Sequence, residues 1–133
     1  MDLSMFTNLD GRINRQKWWL GLVVLVIAEW IIMFVITMLF GTAAPPDPSM
    51  GGYSASFNLG PMGAIILLIV MVPFIWASIC LSGKRWHDRG KSAWWILIGL
   101  IPIIGGIWTL VENGFLKGTD GPNQFGPDPL AGQ

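Results

Sequence analysis

One carboxylate, Glu29, stands inside an otherwise uncharged apolar run from Trp18 to Phe40. A charge near the middle of a membrane-length helix costs several kcal/mol unless it is protonated or partnered. Glu29 therefore reads in two ways: a proton or cation site facing a bundle interior, or a neutral acid hydrogen-bonded to a neighbouring helix. A second concentration is Lys84-Arg85-Trp86-His87-Asp88-Arg89, where an imidazole adjoins a carboxylate and three cations. Such a group can sense pH or shuttle protons. With Arg12 and Arg15 it can instead grip phosphate headgroups through charge-assisted hydrogen bonds. Its plainest use is topological: a basic loop that pins two helices to one membrane surface, Asp88 pairing locally with Arg85 or Arg89.

Other chemistry finds no support. With one cysteine, Cys80, and one histidine, His87, there is no intrachain disulfide and no His/Cys set for zinc. Cys80 sits in an apolar stretch without a local base, where thiolate formation is suppressed, so it reads as a core or lipid-facing residue. No phosphate-cradling glycine loop, Gly-x-Ser-x-Gly or His-Glu-x-x-His occurs. Eight basic and eight acidic residues cancel, which removes a general attraction for nucleic acid. No catalytic residue, cofactor or metal is expected, and a quinone or haem pocket among the tryptophans has nothing behind it.

The elements carrying these residues are membrane helices. Of 133 residues, 53% are hydrophobic and 12% charged, about half the charge usual in a soluble domain. Lipid is the implied solvent, and the fold class is an all-α membrane protein of about three transmembrane helices in one domain over 1–133. Residues 1–17 form an interfacial lead-in. Residues 18–40 form helix 1, capped by Asn14 and anchored by Lys17, Trp18 and Trp19; at 1.5 Å per residue it extends roughly 35 Å, enough to cross. Gly41, Thr42 and Ala43 resemble a signal-peptide cleavage site, but the apolar run far exceeds the usual length of about 7–15 residues. Residues 41–61 form an external loop in which Pro45, Pro46 and Pro48 forbid regular helix. Helix 2, residues 62–82, has Pro73 in its middle, which should bend it, and Ser78 and Ser82 offer a small polar face for packing. The basic loop occupies 83–92, helix 3 occupies 93–111, and a Gly/Pro-rich tail runs extended and turning over 112–133.

Lys and Arg number three before the first span, none in 41–61, four in 83–92 and one in the tail. The positive-inside rule places the N-terminus and the second loop in the cytoplasm. An uninterrupted third span would leave the tail outside, and three spans are the expected arrangement. The alternative is a third stretch broken or re-entrant at Pro102 to Gly106, with the tail returned beside the basic loop. Against it, Trp94 to Ile101 gives roughly 12 Å of helix, too short to cross and in need of shielding by protein.

Three polar signatures, Gly11-Arg12-Ile13-Asn14-Arg15-Gln16-Lys17-Trp18-Trp19, Arg85-Trp86-His87-Asp88-Arg89-Gly90-Lys91-Ser92-Ala93-Trp94-Trp95 and the tail from Lys117 to Pro129, resemble the DUF805 family of small bacterial inner-membrane proteins. The likeness covers residues 9 to 129. Trp86 stands where many members have leucine. Gln124 stands where many have arginine, which weakens a tail-centred ligand site. The resemblance implies a multi-pass protein of the bacterial cytoplasmic (inner) membrane and carries no catalytic residue across. The expected function is non-enzymatic: a structural or interaction protein partnered by membrane lipids and by itself or a membrane complex. The alternatives are a small ion- or proton-conducting oligomer using Glu29, and an anionic-lipid binder using Arg12, Arg15, Arg85, His87 and Arg89.

Overall fold

The computed structural model describes residues 3–43, 48–50 and 57–131. The chain divides into two compact units, residues 26–74 and residues 1–25 with 75–133. Two long helices run through both: α2, Arg15–Phe40, and α3, Gly60–Asp88. Each is long and apolar enough to cross a membrane. The core helix of a soluble protein would be mostly buried, yet only 11% and 17% of the two apolar windows are. Their outward side chains, such as Trp30, Phe34, Leu68 and Val72, suit lipid.

Both helices are longer than expected, for local reasons. Asn14 Oδ1 accepts the Lys17 amide at 2.8 Å and its carbonyl accepts the Trp18 amide at 3.1 Å, so the cap starts α2 at Arg15 rather than Trp18. At the other end α3 continues through Lys84–Asp88, making most of the expected basic loop helical. The charged side chains of that last turn find partners, so nothing forces the helix to stop at Ser82.

In the 26–74 unit, β1 (Thr42–Ala43) and β2 (Phe57–Asn58) pair antiparallel, Thr42 opposite Asn58 and Ala43 opposite Phe57. Asn58 Oδ1 accepts the Gly60 amide at 2.9 Å, opening α3. Pro48 begins a short 3₁₀ turn, Pro48–Met50, whereas Pro45 and Pro46 lie outside the described residues.

The other unit holds α1, Ser4–Thr7, the start of α2, the end of α3, and everything after it. Here the third apolar stretch does not form a membrane-length helix; it takes the alternative form, broken between Leu100 and Ile104. Residues 93–115 form a hairpin: a 3₁₀ stretch, Ala93–Leu100, a sharp turn, then α4, Ile104–Thr109, running into a π-helical turn, Leu110–Phe115. Pro102 has no N–H to extend the helix, and the Ile104 amide donates to the Pro102 carbonyl at 2.7 Å across Ile103, held at φ 65°. Gly105 completes the reversal, since a Cβ there would fall inside the Ile98 carbonyl oxygen. Eight residues of 3₁₀ helix rise roughly 16 Å, about half a hydrocarbon core. Two membrane-length helices, not three, are therefore present among the described residues. The chain returns beside the end of α3, so the tail meets the basic segment.

Candidate functional site

The polar signatures converge in the unit formed by residues 1–25 and 75–133, around Asp88. Its Oδ1 accepts Arg12 Nε at 3.1 Å and lies 2.9 Å from Arg12 Nη2; its Oδ2 accepts Arg85 Nη1 at 2.5 Å. Arg85 and Asp88 are three apart on α3 and so share a face. Both guanidiniums are fully buried as side chains. A buried cation is tolerated only when its donors are satisfied, and the tail supplies the acceptors. Arg12 Nη1 donates to the Gly121 and Gly126 carbonyls at 2.8 and 3.3 Å, and Nη2 to the Thr119 carbonyl at 2.6 Å. Arg85 Nε and Nη2 donate to the Asn113 and Leu116 carbonyls, each at 2.6 Å. The Thr119 amide in turn donates to the Asp88 carbonyl at 2.6 Å, and a Cβ at Gly118 would overlap the Asp88 carboxylate.

The tail closes on itself through turn chemistry. Asp128 accepts the Gly121 and Leu130 amides, each at 2.9 Å, and these bonds hold its carboxyl below the usual carboxylate range. Asn123 pairs with Gly126 and sends its Nδ2 to the His87 carbonyl at 2.9 Å. His87 Nδ1 lies 3.0 Å from the Gly11 carbonyl, which makes it the donor there, and the ring stacks on Phe125 at 4.0 Å. His87 thus bridges the lead-in and the tail.

A second centre surrounds Glu112, at the end of the hairpin. Lys91 Nζ reaches Oε1 at 2.5 Å, Trp108 Nε1 donates to the same oxygen at 2.9 Å, and Arg89 Nε donates to Oε2 at 3.3 Å. Lys91 also lies 4.4 Å from the Trp95 ring centre, a cation–π distance. Burial pushes the Glu112 carboxyl up, but hydrogen bonds from Lys91, Trp108 and Arg89, with the Lys91 charge, outweigh it and hold the group below its ordinary value. Stability from a depressed carboxylate is complete above its unfolded pKa of about 4.3 and is lost as pH falls through the folded value. Thermal unfolding in detergent should accordingly show an acid limb below about pH 4.3 that Glu112→Gln flattens. At neutral pH that variant should cost about 1.5–3 kcal/mol, the size of hydrogen bonds to a charged group.

Of the residues marked in the sequence, Arg12, Arg85, His87 and Asp88 meet in one network, Arg89 joins Glu112, and Arg15 donates to the Phe115 carbonyl at 2.7 Å from an exposed position. Glu29 lies apart in the 26–74 unit, half-buried beside a shallow hollow it shares with Trp30 and Met33. Among the described residues no side chain bonds or pairs with it. Sequence reasoning missed Glu112, Asn113, Asn123, Phe125 and Asp128. An acid at the exit of an apolar stretch and an Asp between prolines were the available signals for Glu112 and Asp128. Asn113, whose contribution is a carbonyl, offers none. Its buried side-chain amide has no hydrogen-bond partner among the described residues.

Arginine and aspartate from the lead-in and the end of α3, locked by a Gly-Pro tail, bring the three polar segments together in space. Residues 6–127 match the family described as "Protein of unknown function (DUF805)". The chain belongs to the DUF805 family. Its relatives include inner membrane protein YhaH of Escherichia coli (strain K12), 32% identical over 127 residues that cover 96% of this chain and 91% of the relative. Inner membrane protein YhaI of the same strain is 27% identical over 131 residues, covering 98% and 92%. The uncharacterized protein YiiR of that strain is 25% identical over 145 residues, covering 91% and 85%. No solved structure matches the chain. Membership in DUF805, with inner-membrane relatives and the two apolar helices, makes this a membrane protein, and the network around Asp88 draws on all three polar segments.

Proposed function

We propose that this protein is a non-enzymatic component of the bacterial cytoplasmic membrane that assembles through its helices with a second copy of itself or another membrane protein. The observation that carries the reading is Glu29: a half-buried acid on a membrane-length helix, with no side-chain partner among the described residues. In lipid such a group is costly, and a neighbouring helix that accepts its hydrogen bond removes the cost. The Asp88 network supports the non-enzymatic part, because its polar groups are engaged with one another and with backbone carbonyls. With two spans and a returning hairpin, all eight Lys and Arg fall on one side, which favours a multi-pass chain with both termini in the cytoplasm. The phosphate-clamp reading of Arg12 and Arg85 has less behind it, since both side chains are buried and donate to the chain itself.

Wild-type protein in nanodiscs should run as a dimer or larger species, or retain a membrane partner. Glu29→Leu should weaken association by about 5- to 30-fold, matching an interhelical hydrogen bond of roughly 1–2 kcal/mol, while Glu29→Gln retains most of it. A lone wild-type monomer without a partner would remove the proposal. The same unpartnered carboxyl favours a second reading, a proton-conducting oligomer. Proton flux into liposomes that Glu29→Gln leaves unchanged would exclude that use.

A further inference from the structure

Beneath α1 lies a cavity of about 430 Å³ that the Asp88 network does not occupy. Its volume falls within the range of about 300–1,000 Å³ typical of small-molecule sites. Lys17 on the first turn of α2 and Lys84 on α3 give the cavity cationic lining, and Met5, Ile13 and Leu20 give it an apolar side. Arg12 also borders the space, but its guanidinium is committed to Asp88 and the tail carbonyls. Lys84 is buried and donates to the Ser4 carbonyl at 2.5 Å, which ties α1 to α3 at the cavity wall. Lys17 is exposed, and its ammonium has no partner among the described residues. One acid, Asp10, stands in the lining against these two lysines.

Lys17 and Leu20 are three apart on one face of α2, so the cavity passes from charge to hydrocarbon over a rise of about 4.5 Å. Lys17 stands on the first turn of α2 and the apolar run begins at the next residue, which sets the cavity where that helix enters hydrocarbon. We infer that this cavity binds the phosphate of an anionic phospholipid, Lys17 contacting the headgroup and Met5, Ile13 and Leu20 contacting the start of the acyl chains. A zwitterionic headgroup would bring its own ammonium against two lysines. A phosphodiester with a neutral alcohol meets only attraction from them. The site differs from a clamp on the basic segment of α3, because its free cation comes from α2 and its floor from the lead-in.

The test is lipid retention by the full chain, measured by native mass spectrometry after reconstitution in vesicles of equal phosphatidylglycerol and phosphatidylcholine. Phosphatidylglycerol should be retained in preference. Lys17→Gln should reduce that preference about fivefold, the effect expected of one lysine at a charged membrane surface. Leu20→Trp, which fills the apolar end and leaves both lysines, should reduce it as well. Equal retention of the two lipids, or a preference that neither variant changes, overturns the inference. A third arm titrates delipidated protein with inorganic phosphate. Lys17-dependent phosphate binding as tight as phosphatidylglycerol binding would identify a free-anion site and overturn the lipid assignment.

Discussion

Asp88→Ala is expected to destabilise the protein by about 3–5 kcal/mol, the loss that follows when one partner of a buried ion pair is removed. Two buried guanidiniums, those of Arg12 and Arg85, would then face each other without the carboxylate that separates their charges. The tail carbonyls satisfy several of their hydrogen bonds but none of their charge. Because those carbonyls lie on residues 113–126, the loss should appear as release of the tail before the long helices unfold. Tryptophan fluorescence during thermal unfolding in detergent measures the first effect, and protease cleavage between Leu116 and Pro129 measures the second. Asp88→Asn, which keeps the shape and an acceptor, should fall between the variant and wild type. A loss below about 1 kcal/mol with the tail still protected would mean that the pair behaves like one at an exposed surface.

The hairpin of residues 93–115 supplies the other large effect. Gly105→Ala places a methyl group where the Ile98 carbonyl oxygen already stands, and that obstacle is backbone rather than the end of a flexible side chain. Relief requires the two arms to separate, at a cost of about 1–3 kcal/mol, as for other overpacked contacts. Separation also moves Glu112 away from Arg89 and Lys91, so hydrogen exchange should rise along both arms. Gly106→Ala, where an added methyl meets nothing within 4 Å, is the matched control and should leave exchange unchanged. Equal behaviour of the two variants would show that the arms do not pack at Gly105.

Much of this architecture is legible along the chain. The two long helices follow from apolar runs that exceed the thickness of a bilayer, and their ends from residues with local roles, such as the Asn14 cap and the tryptophans beside it. The break after Ile101 is visible as Pro102 followed by Gly105-Gly106. Its consequence is not, because a proline in an apolar run can kink a spanning helix or reverse it. Pro73 shows the ambiguity: it lies inside α3, which continues through it.

The network around Asp88 was harder to read, since half of it is backbone. Arg12, Arg85, His87 and Asp88 stand out by charge, but their partners at Asn113, Leu116, Thr119, Gly121 and Gly126 contribute carbonyl oxygens that any residue type carries. The glycines of the tail do leave a mark. Gly121 and Gly126 have positive φ, and Gly118 leaves room for the Asp88 carboxylate.

By itself the sequence determined that the protein lives in a membrane, that its charge gathers near the ends of two apolar helices, and that Glu29 stands alone in one of them. Local properties decide those matters: hydropathy over a helix length, capping, and the cost of charge in hydrocarbon. Only the tertiary structure decided that Glu29 has no side-chain partner among the described residues, that the third apolar stretch turns back, and that the signature arginines are sealed beneath the tail. Each depends on which distant segments meet, and a buried guanidinium has the same residue code as an exposed one until the carbonyls around it are known.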